Sequence, residues 1–236
     1  MIFAAFMALP FLAYGDSLPL DHYVLALSWE PAFCQFNADK PECRELDGTD
    51  FAATHLAIHG LWPDTRESKR LRYCGLDEHL ALMDQRNHWC ELPELELRAE
   101  TRAALEPAMP GARSCLDRHE WTEHGTCSGV DAEGYFSRTL RLAAAVQASP
   151  LGALLAANVG HKLPRRKLID AFEAAFGPGA GGALTLLCAK GLLIEIRITL
   201  EPSAMDGELD AKDLRPTASG AGGSCPATIL VDAVGP

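Results

Sequence analysis

Residues 115–127, CLDRHEWTEHGTC, place two histidines, three carboxylates and a tryptophan between two cysteines. If this stretch is helical, Glu120 and His124 lie four residues apart and share one face. A carboxylate beside an imidazole is a common way to hold a proton-transfer group in position. The same pattern also fits a charged, solvated helix that disulfides hold in place. This segment alone does not distinguish a catalytic role from a structural one, so other parts of the chain are needed.

A further histidine lies upstream in residues 54–61, THLAIHGL, which predict a short strand that Gly60 and Pro63 end. His59 would lie at the end of that strand, with Trp62 close by. A single histidine there is more often structural than catalytic, and Trp62 suits core packing as well as ligand binding. Only the two histidine segments taken together therefore indicate a function.

The composition limits which partners the chain can have. Its 236 residues carry a formal charge of -11, and its pI is near 5.1. An acidic chain of this kind lacks the basic surface that stable binding to DNA, or coating of RNA, requires. An enzyme that binds a few nucleotides and then releases them remains compatible with this charge.

Strands near both ends of the chain enclose a helical middle, which predicts a single α+β domain over residues 16–236. Predicted strands cover 22–29, 54–61, 184–188, 192–200 and 228–231. Predicted helices cover 76–85, 94–106, 134–148, 151–158 and 165–176. Residues 201–224 are polar and glycine-rich and are expected to form a long loop.

The N-terminus and the cysteines indicate secretion. Residues 1–15 are apolar, too short for a membrane span, and end in a small-x-small sequence, which predicts a signal peptide. The eight cysteines are Cys34, Cys43, Cys74, Cys90, Cys115, Cys127, Cys188 and Cys225. Their even number and the lack of a CxxC pair favour four disulfides over a zinc ribbon or a redox site. We therefore expect a periplasmic or extracellular protein.

Two segments resemble, in the same order, the active-site segments of the ribonuclease T2 family: AIHGLWPD at 57–64 and HEWTEHGTC at 119–127. YVLALSWEPAFC at 23–34 resembles that family's first core strand and turn. MPGARSCLDRHEW and the CPATILVD tail are similar to the bacterial, periplasmic ribonuclease I-like branch. The resemblance runs from about Leu20 to the C-terminus. It implies a T2-like α+β fold, with a central antiparallel sheet, flanking helices, long loops and disulfides.

The resemblance implies an endoribonuclease that forms 2′,3′-cyclic phosphates and hydrolyses them slowly to 3′-phosphates. His124 would be the base for the 2′-hydroxyl and His59 the acid for the 5′-oxygen, while His119 and Glu120 would act at the phosphate. Two histidines can divide the proton transfers at mildly acidic pH, because the ordinary pKa of a histidine is near 6.5.

Trp62 and Asp64 match the family positions that stack on a base and hydrogen-bond to it, which suits an enzyme with little base specificity. RNA is the implied substrate, and a monomer is the implied state. Neither a metal nor a cofactor is implied, because the 2′-hydroxyl itself supplies the nucleophile.

One position departs from the family pattern. The family carries Lys or Arg immediately before the second His-Gly pair, where this chain has Glu123. The loss of one such contact to the phosphorane typically costs about 3–4 kcal/mol. We expect Glu123 to pair with protonated His119 or to point into solvent. If it points inward, it should raise the pKa of Glu120. A smaller departure is Glu30, where relatives often carry an amide.

The family resemblance also suggests how the cysteines pair. The implied disulfides are Cys74–Cys127 and Cys188–Cys225, with Cys34–Cys43 closing a local loop and Cys90–Cys115 as the fourth. Such bridges would fix both ends of the catalytic segment, each contributing about 2–4 kcal/mol. A pairing of Cys74 with Cys115 and of Cys90 with Cys127 remains open.

Two other functions compete with a ribonuclease. A zinc hydrolase is suggested because HEWTEH looks like HExxH. However, His119 and His124 are five residues apart, about 140° around a helix, and should not share a metal. A catalytically weakened T2-fold protein that binds RNA or another partner is the stronger alternative, because Glu123 replaces the family cation.

Overall fold

The computed structural model describes residues 20–66, 71–217 and 221–235. The predicted signal peptide at 1–15 lies outside them. The described residues form an α+β fold with eight α-helices and seven strands. The strands are β1 His22–Ser28, β2 Ala57–Asp64, β3 His161–Pro164, β4 Leu184–Ala189, β5 Leu192–Leu200, β6 Gly222–Gly223 and β7 Thr228–Val231. The helices are α1 Glu30–Cys34, α2 Pro41–Glu45, α3 Glu78–Gln85, α4 Ala99–Ala108, α5 Leu116–Glu123, α6 Ala132–Gln147, α7 Pro150–Ala156 and α8 Arg165–Phe176.

Strand β5 lies at the centre of one sheet, whose order is β2-β1-β5-β4-β6, and β1 lies between β5 and the edge strand β2. The ladders between β2, β1, β5 and β4 are antiparallel, as predicted. Two short strands add parallel pairing, because β6 runs beside β4 and β7 beside β5. Strand β3 joins the sheet through β7. The sheet is therefore mixed around an antiparallel centre.

Helix α6 holds the sheet strand that carries the first histidine segment. The hydroxyl of Tyr135 donates to the Leu61 carbonyl at 2.8 Å and accepts from the Leu61 N–H at 3.2 Å. Phe136 and Leu142 of the same helix are fully buried, as are Leu25 and Leu27 of β1. Burial of such side chains stabilises a fold by about 1.5–3 kcal/mol each. The core thus fixes β2 and β1 relative to each other.

Most predicted elements form, with some bounds moved. The prediction that Gly60 and Pro63 end the second strand is wrong, since β2 continues to Asp64. Proline is tolerated there because β2 is an edge strand that pairs with β1 alone. The predicted loop at 201–224 contains two short 3-10 helices and β6, and β3 was not predicted. A four-residue strand with one buried side chain gives almost no periodic signal.

The eight cysteines form four disulfides: Cys34–Cys43, Cys74–Cys127, Cys90–Cys115 and Cys188–Cys225. These are the pairs that the family resemblance implied, and the alternative pairing of Cys74 with Cys115 is not formed. Two of the bridges attach α5 and the turn after it to the segment 74–90.

Within the described residues, no single helix is both long and apolar enough to cross a membrane. Helices α6 and α7 meet those criteria only when they are joined across a 70° bend.

Candidate active site

The two histidine segments meet where α5 packs against β2. The indole N–H of Trp62 donates to Glu120 Oε2 at 2.8 Å. His59 Nε2 lies 3.6 Å from Glu120 Oε1. The centre of the Trp62 ring lies 5.2 Å from that of His59 and 5.5 Å from that of His124. Residues far apart in sequence thus form one site around the carboxyl group of Glu120.

A β-bulge directs His59 into this site. The register between β1 and β2 shifts between Ala26 and Leu27, which pair with Gly60 and Ile58 and leave His59 between them. Bulges of this kind re-aim a side chain and are common beside active sites. Gly60 is needed for the approach of α5, because a Cβ there would collide with the Glu120 carboxylate and lie 2.7 Å from Trp62 Nε1.

The proton of His59 is controlled by Glu195 of β5. His59 Nδ1 donates to Glu195 Oε2 at 2.6 Å, and Arg197 Nε donates to Glu195 Oε1 at 2.5 Å. Burial opposes the positive charge of His59, but the Glu195 hydrogen bond and the Glu120 carboxylate outweigh it and raise the pKa of His59. Burial of Glu195 opposes its negative charge, yet His59 and Arg197 lower the pKa of that carboxyl.

The sequence reasoning placed Glu195 and Arg197 in the predicted strand at 192–200 and did not single out either residue. Glu195 is only 6% exposed, although a polar strand face usually meets solvent. Arg197 extends over Trp62, with its guanidinium carbon 4.8 Å from the ring centre. The available signal was a carboxylate and a cation on a strand that is otherwise strongly apolar.

His119 lies on the other side of the site. Its Nδ1 donates to Asp84 Oδ1 at 2.8 Å, and its ring stacks on Trp89 with centres 4.3 Å apart. Burial opposes its charge, but Asp84 and the neighbouring glutamates raise the pKa of His119. Asp84 also accepts from the Tyr73 hydroxyl at 2.9 Å. Neither Asp84 nor Trp89 was singled out from the sequence.

His124 lies beyond the last helical residue. Helix α5 ends at Glu123, and His124 has φ -116° and ψ -51°. The sequence argument that His119 and His124 point about 140° apart assumed a continuous helix. Their ring centres are in fact 6.2 Å apart. The helix ends early enough to bring the two imidazoles to the same side.

Glu123 points inward, so of its two expected positions the one beside His119 is found and the one in solvent is not. The residue is 8% exposed. Its Oε2 lies 3.6 Å from His119 Nε2, its Oε1 lies 3.8 Å from His124 Nε2, and Arg72 Nη1 lies 2.8 Å from the same Oε1. The backbone N–H of Tyr73 donates to the Glu123 carbonyl at 2.9 Å, which keeps Arg72 beside the carboxylate. The expected proximity to His119 is found, together with a cation that the sequence did not reveal.

Glu120 is completely buried, and burial raises its pKa to about 6. His59, His119 and the Trp62 indole oppose this increase, and Glu123 adds slightly to it. The predicted increase is present, but its main cause is burial rather than Glu123. Among the described residues, Glu120 Oε1 has no hydrogen-bond partner.

Two further residues that the sequence analysis named, Asp64 and Glu30, lie near this site. Asp64 is two residues beyond Trp62, so their side chains share one face of β2. Asp64 Oδ1 accepts from the Thr65 N–H at 2.8 Å. Glu30 is buried beside Glu42; burial first, and then Glu42, raise the pKa of Glu30 to about 7, against the effect of His59.

The arrangement can move protons at two separate nitrogen atoms across one buried carboxyl group. His59 carries a proton on Nδ1 for Glu195 and presents Nε2 near Glu120. His124 approaches from the C-terminal end of α5. Arg72, Arg197 and protonated His119 supply positive charge near these groups. Such a site suits acid–base attack on an anionic substrate.

Comparison with known proteins gives a consistent result. The model of the Ribonuclease T2 family matches residues 20–209. Ribonuclease I of Escherichia coli strain K12 is 35% identical over 97% of this chain and 91% of its own length. A ribonuclease of Aeromonas hydrophila is 28% identical over 57% of this chain and 50% of its own length. Among solved structures, ribonuclease MC1 from bitter gourd seeds has a similar fold, with a TM-score of 0.55 and 18% identity over 89% of this chain and 99% of that one.

Proposed function

The chain belongs to the ribonuclease T2 family, which supports an RNA endonuclease, and on that premise we propose how it acts. It cleaves RNA by transphosphorylation: the 2′-hydroxyl attacks the adjacent phosphorus, the 5′-oxygen leaves, and a 2′,3′-cyclic phosphate forms. Slow hydrolysis then gives a 3′-phosphate. His124 is the general base, His59 the general acid, and His119 and Glu120 act at the phosphate.

One observation carries the proposal: the centre of the Trp62 ring lies 5.2 Å from that of His59 and 5.5 Å from that of His124, and its indole N–H donates to Glu120. Transphosphorylation needs a base and an acid on either side of one phosphorus atom. His59 suits the acid role because Glu195 raises its pKa and holds the proton of Nδ1, which leaves Nε2 for the departing oxygen. His59 is one-third exposed, so substrate can reach it.

Glu120 and His119 suit the phosphate for electrostatic reasons. The pKa of about 6 leaves much of Glu120 protonated at mildly acidic pH, where its unbonded oxygen can donate to a phosphoryl oxygen. Protonated His119 adds a donor and a positive charge. Arg72 neutralises Glu123 at 2.8 Å and so offsets the charge that replaces the family cation. Donors and charges fixed around a developing phosphorane stabilise it.

Trp62 supports base stacking, with Arg197 over its ring and Asp64 on the same strand face. Stacking on an aromatic ring tolerates every base, which favours low base specificity. The four disulfides favour an oxidising compartment, so we propose a periplasmic or secreted protein. We also propose a monomer, as the family resemblance implies.

The test is incubation of the purified protein with RNA and EDTA at several pH values between about 5 and 8. We expect cleavage that resists EDTA and yields 2′,3′-cyclic phosphates, and we expect His59→Ala and His124→Ala to abolish it. Activity that EDTA removes would instead indicate a metal-dependent enzyme.

The second candidate is a T2-fold protein with weakened catalysis that binds RNA or another partner. Glu123 favours it, because a buried carboxylate lies beside both His119 and His124. In the cleavage assay this protein would leave RNA intact. In a separate gel-shift measurement it would bind RNA.

A further inference from the structure

His119, Glu123 and His124 form a compact cluster of three potential metal ligands at the end of α5. One ligand atom from each residue lies within 4.8 Å of the other two. Glu123 joins them, with Oε2 3.6 Å from His119 Nε2 and Oε1 3.8 Å from His124 Nε2. The cluster depends on the one position where this chain departs most from the family pattern.

The distances suit a zinc ion. Bonds of about 2.0–2.1 Å place neighbouring ligand atoms of a tetrahedral zinc site about 3.3 Å apart. The separations to His119 Nε2 and His124 Nε2, 3.6 and 3.8 Å, run to the two different oxygens of Glu123. One ligand atom from each residue lies within 4.8 Å of the other two, so side-chain rotations that draw the three atoms inward would complete the geometry. Two histidines and one glutamate are a known zinc donor set that leaves the fourth position for water.

A second observation concerns the tautomer of His119. Its Nδ1 donates to Asp84 at 2.8 Å, so the lone pair of a neutral ring resides on Nε2, the atom beside Glu123. Carboxylates behind a histidine in this way orient it and strengthen it as a metal ligand. The Tyr73 hydroxyl holds Asp84 from the other side at 2.9 Å. His119 is therefore already arranged as a ligand.

The charge around the cluster also favours a dication. Asp84, Glu120 and Glu123 are all buried there. In the described part of the chain, Arg72 is the one lysine or arginine that pairs with any of them. With neutral histidines, the cluster has excess negative charge. Arg72 is 42% exposed and can leave Glu123 when a metal binds.

We propose that His119, Glu123 and His124 bind one Zn²⁺ ion, and that zinc inhibits the enzyme by occupying Nε2 of its general base. A nitrogen lone pair bound to zinc cannot accept the proton of the 2′-hydroxyl. Zinc binding is independent of RNA cleavage, whereas the inhibition rests on the proposed function.

A different cluster, Glu30 with Cys34 and Cys43, has comparable spacing. Its two sulfur atoms are joined in a disulfide and offer no thiolate. We therefore expect a single site, and variants at Glu123 should report on it.

The experiment measures zinc binding to EDTA-treated protein that has been exchanged into chelator-free buffer near neutral pH. Zinc chloride is titrated in a calorimeter, or in competition with a chromogenic zinc indicator. We expect one ion per chain in the wild type and binding at least about tenfold weaker in Glu123→Gln, which loses a ligand. Glu91→Gln is the matched control, because Glu91 pairs with His88 on the surface at 3.3 Å, outside the cluster. It should bind zinc as the wild type does.

Arg72→Gln keeps all three ligands and removes the cation that competes for Glu123, so it should bind zinc several-fold more tightly. Circular dichroism would show whether Glu123→Gln folds. If it does not, the expected increase in zinc affinity of Arg72→Gln still tests the proposal. Equal affinity in wild type, Glu123→Gln and Arg72→Gln would overturn the proposal, as would the lack of a stoichiometric site.

Ribonuclease assays in the same zinc titration separate the two steps. Inhibition should follow occupancy in the wild type, reverse with EDTA and require about tenfold more zinc in Glu123→Gln. If the protein binds zinc as expected but cleaves no RNA, the metal site stands and the proposed function fails. If it cleaves RNA but zinc at full occupancy does not inhibit, the inhibitory step fails.

Discussion

Glu195 on β5 accepts a 2.6 Å hydrogen bond from His59 on β2, although the two residues are 136 positions apart in the chain. Strand β1 lies between β5 and β2, and there Ser28 pairs with Glu195 on one side and Ala57 on the other. Because Ser28 is small, Glu195 can reach over β1 to the imidazole. The sheet register therefore determines which carboxylate controls His59.

Glu195→Gln should shift the pH dependence of cleavage. The charged carboxylate raises the pKa of His59, and the protonated acid form exists below that pKa. Without the carboxylate the pKa of His59 falls, so activity should be lost at lower pH on the alkaline side of the profile. We expect kcat/KM near neutral pH to fall about 10- to 100-fold, with KM little changed.

The control for Glu195→Gln is Glu208→Gln, which removes one negative charge from an exposed position. Its pH profile should match that of the wild type. A Glu195→Gln enzyme with an unchanged alkaline limb would show that Glu195 does not set the proton of the acid, whatever its effect on stability.

Glu123→Lys should increase the rate of RNA cleavage, measured in EDTA so that no zinc contributes. The variant replaces a buried carboxylate beside His119 and His124 with the cation that the family carries. One such electrostatic contact is worth about 10²–10³ in rate. Since Arg72 already offsets part of the charge, we expect a gain of about tenfold in kcat/KM.

A double-mutant cycle with Arg72→Gln tests the compensation directly. In the wild type, Arg72→Gln should slow cleavage because Glu123 loses its partner. In the Glu123→Lys background the same change should have little effect or a favourable one. If the effect of Arg72→Gln is equal in both backgrounds, Arg72 does not act through Glu123.

Gly60→Ala should damage the site more than its small size suggests. The added methyl group would meet the Glu120 carboxylate and the Trp62 indole, and overpacking of this kind typically costs about 1–3 kcal/mol. We expect a lower melting temperature and a loss of about 10²-fold in kcat, because Glu120 must move away from His59. Gly48→Ala is the control, since nothing lies within 4 Å of its added methyl group. Full activity in Gly60→Ala would mean that the close contact between β2 and α5 is not required.

Local patterns in the sequence predicted the elements that have strong periodicity. Helix α8 covers Arg165–Phe176 as predicted, because its apolar stripe is regular and Gly177 follows it. The strands predicted at 184–188 and 192–200 also form, as the antiparallel pair β4 and β5, since β5 alternates between apolar and polar residues. The resemblance of two segments to a known family identified His59, His119, Glu120 and His124 as neighbours, which no periodicity could have done.

The parts that the sequence did not predict depend on long-range contacts. Asp84, Arg72 and Glu195 touch the site from three separate segments. Their positions follow from the sheet register and from disulfides, neither of which has a local signal. The prediction that His124 points away from His119 was wrong for a local reason. Helix α5 ends at Glu123, and this changes the direction of the next side chain.

Removal of the Cys90–Cys115 disulfide should reduce both stability and activity. The bridge joins the segment next to Trp89, which stacks on His119, to the residue before α5. Replacing both cysteines with serine should lower the free energy of unfolding by about 2–4 kcal/mol. At temperatures well below that of unfolding, the variant should also have a lower kcat/KM, because His119 and its stacking partner are no longer held together.

The matched control is the double serine variant of Cys188–Cys225. Its cysteines are 37 residues apart in sequence, compared with 25 for Cys90–Cys115, and this bridge lies outside the site. It should lose similar stability and keep its activity. If both variants lose stability and neither loses activity, the Cys90–Cys115 bridge stabilises the fold without positioning His119.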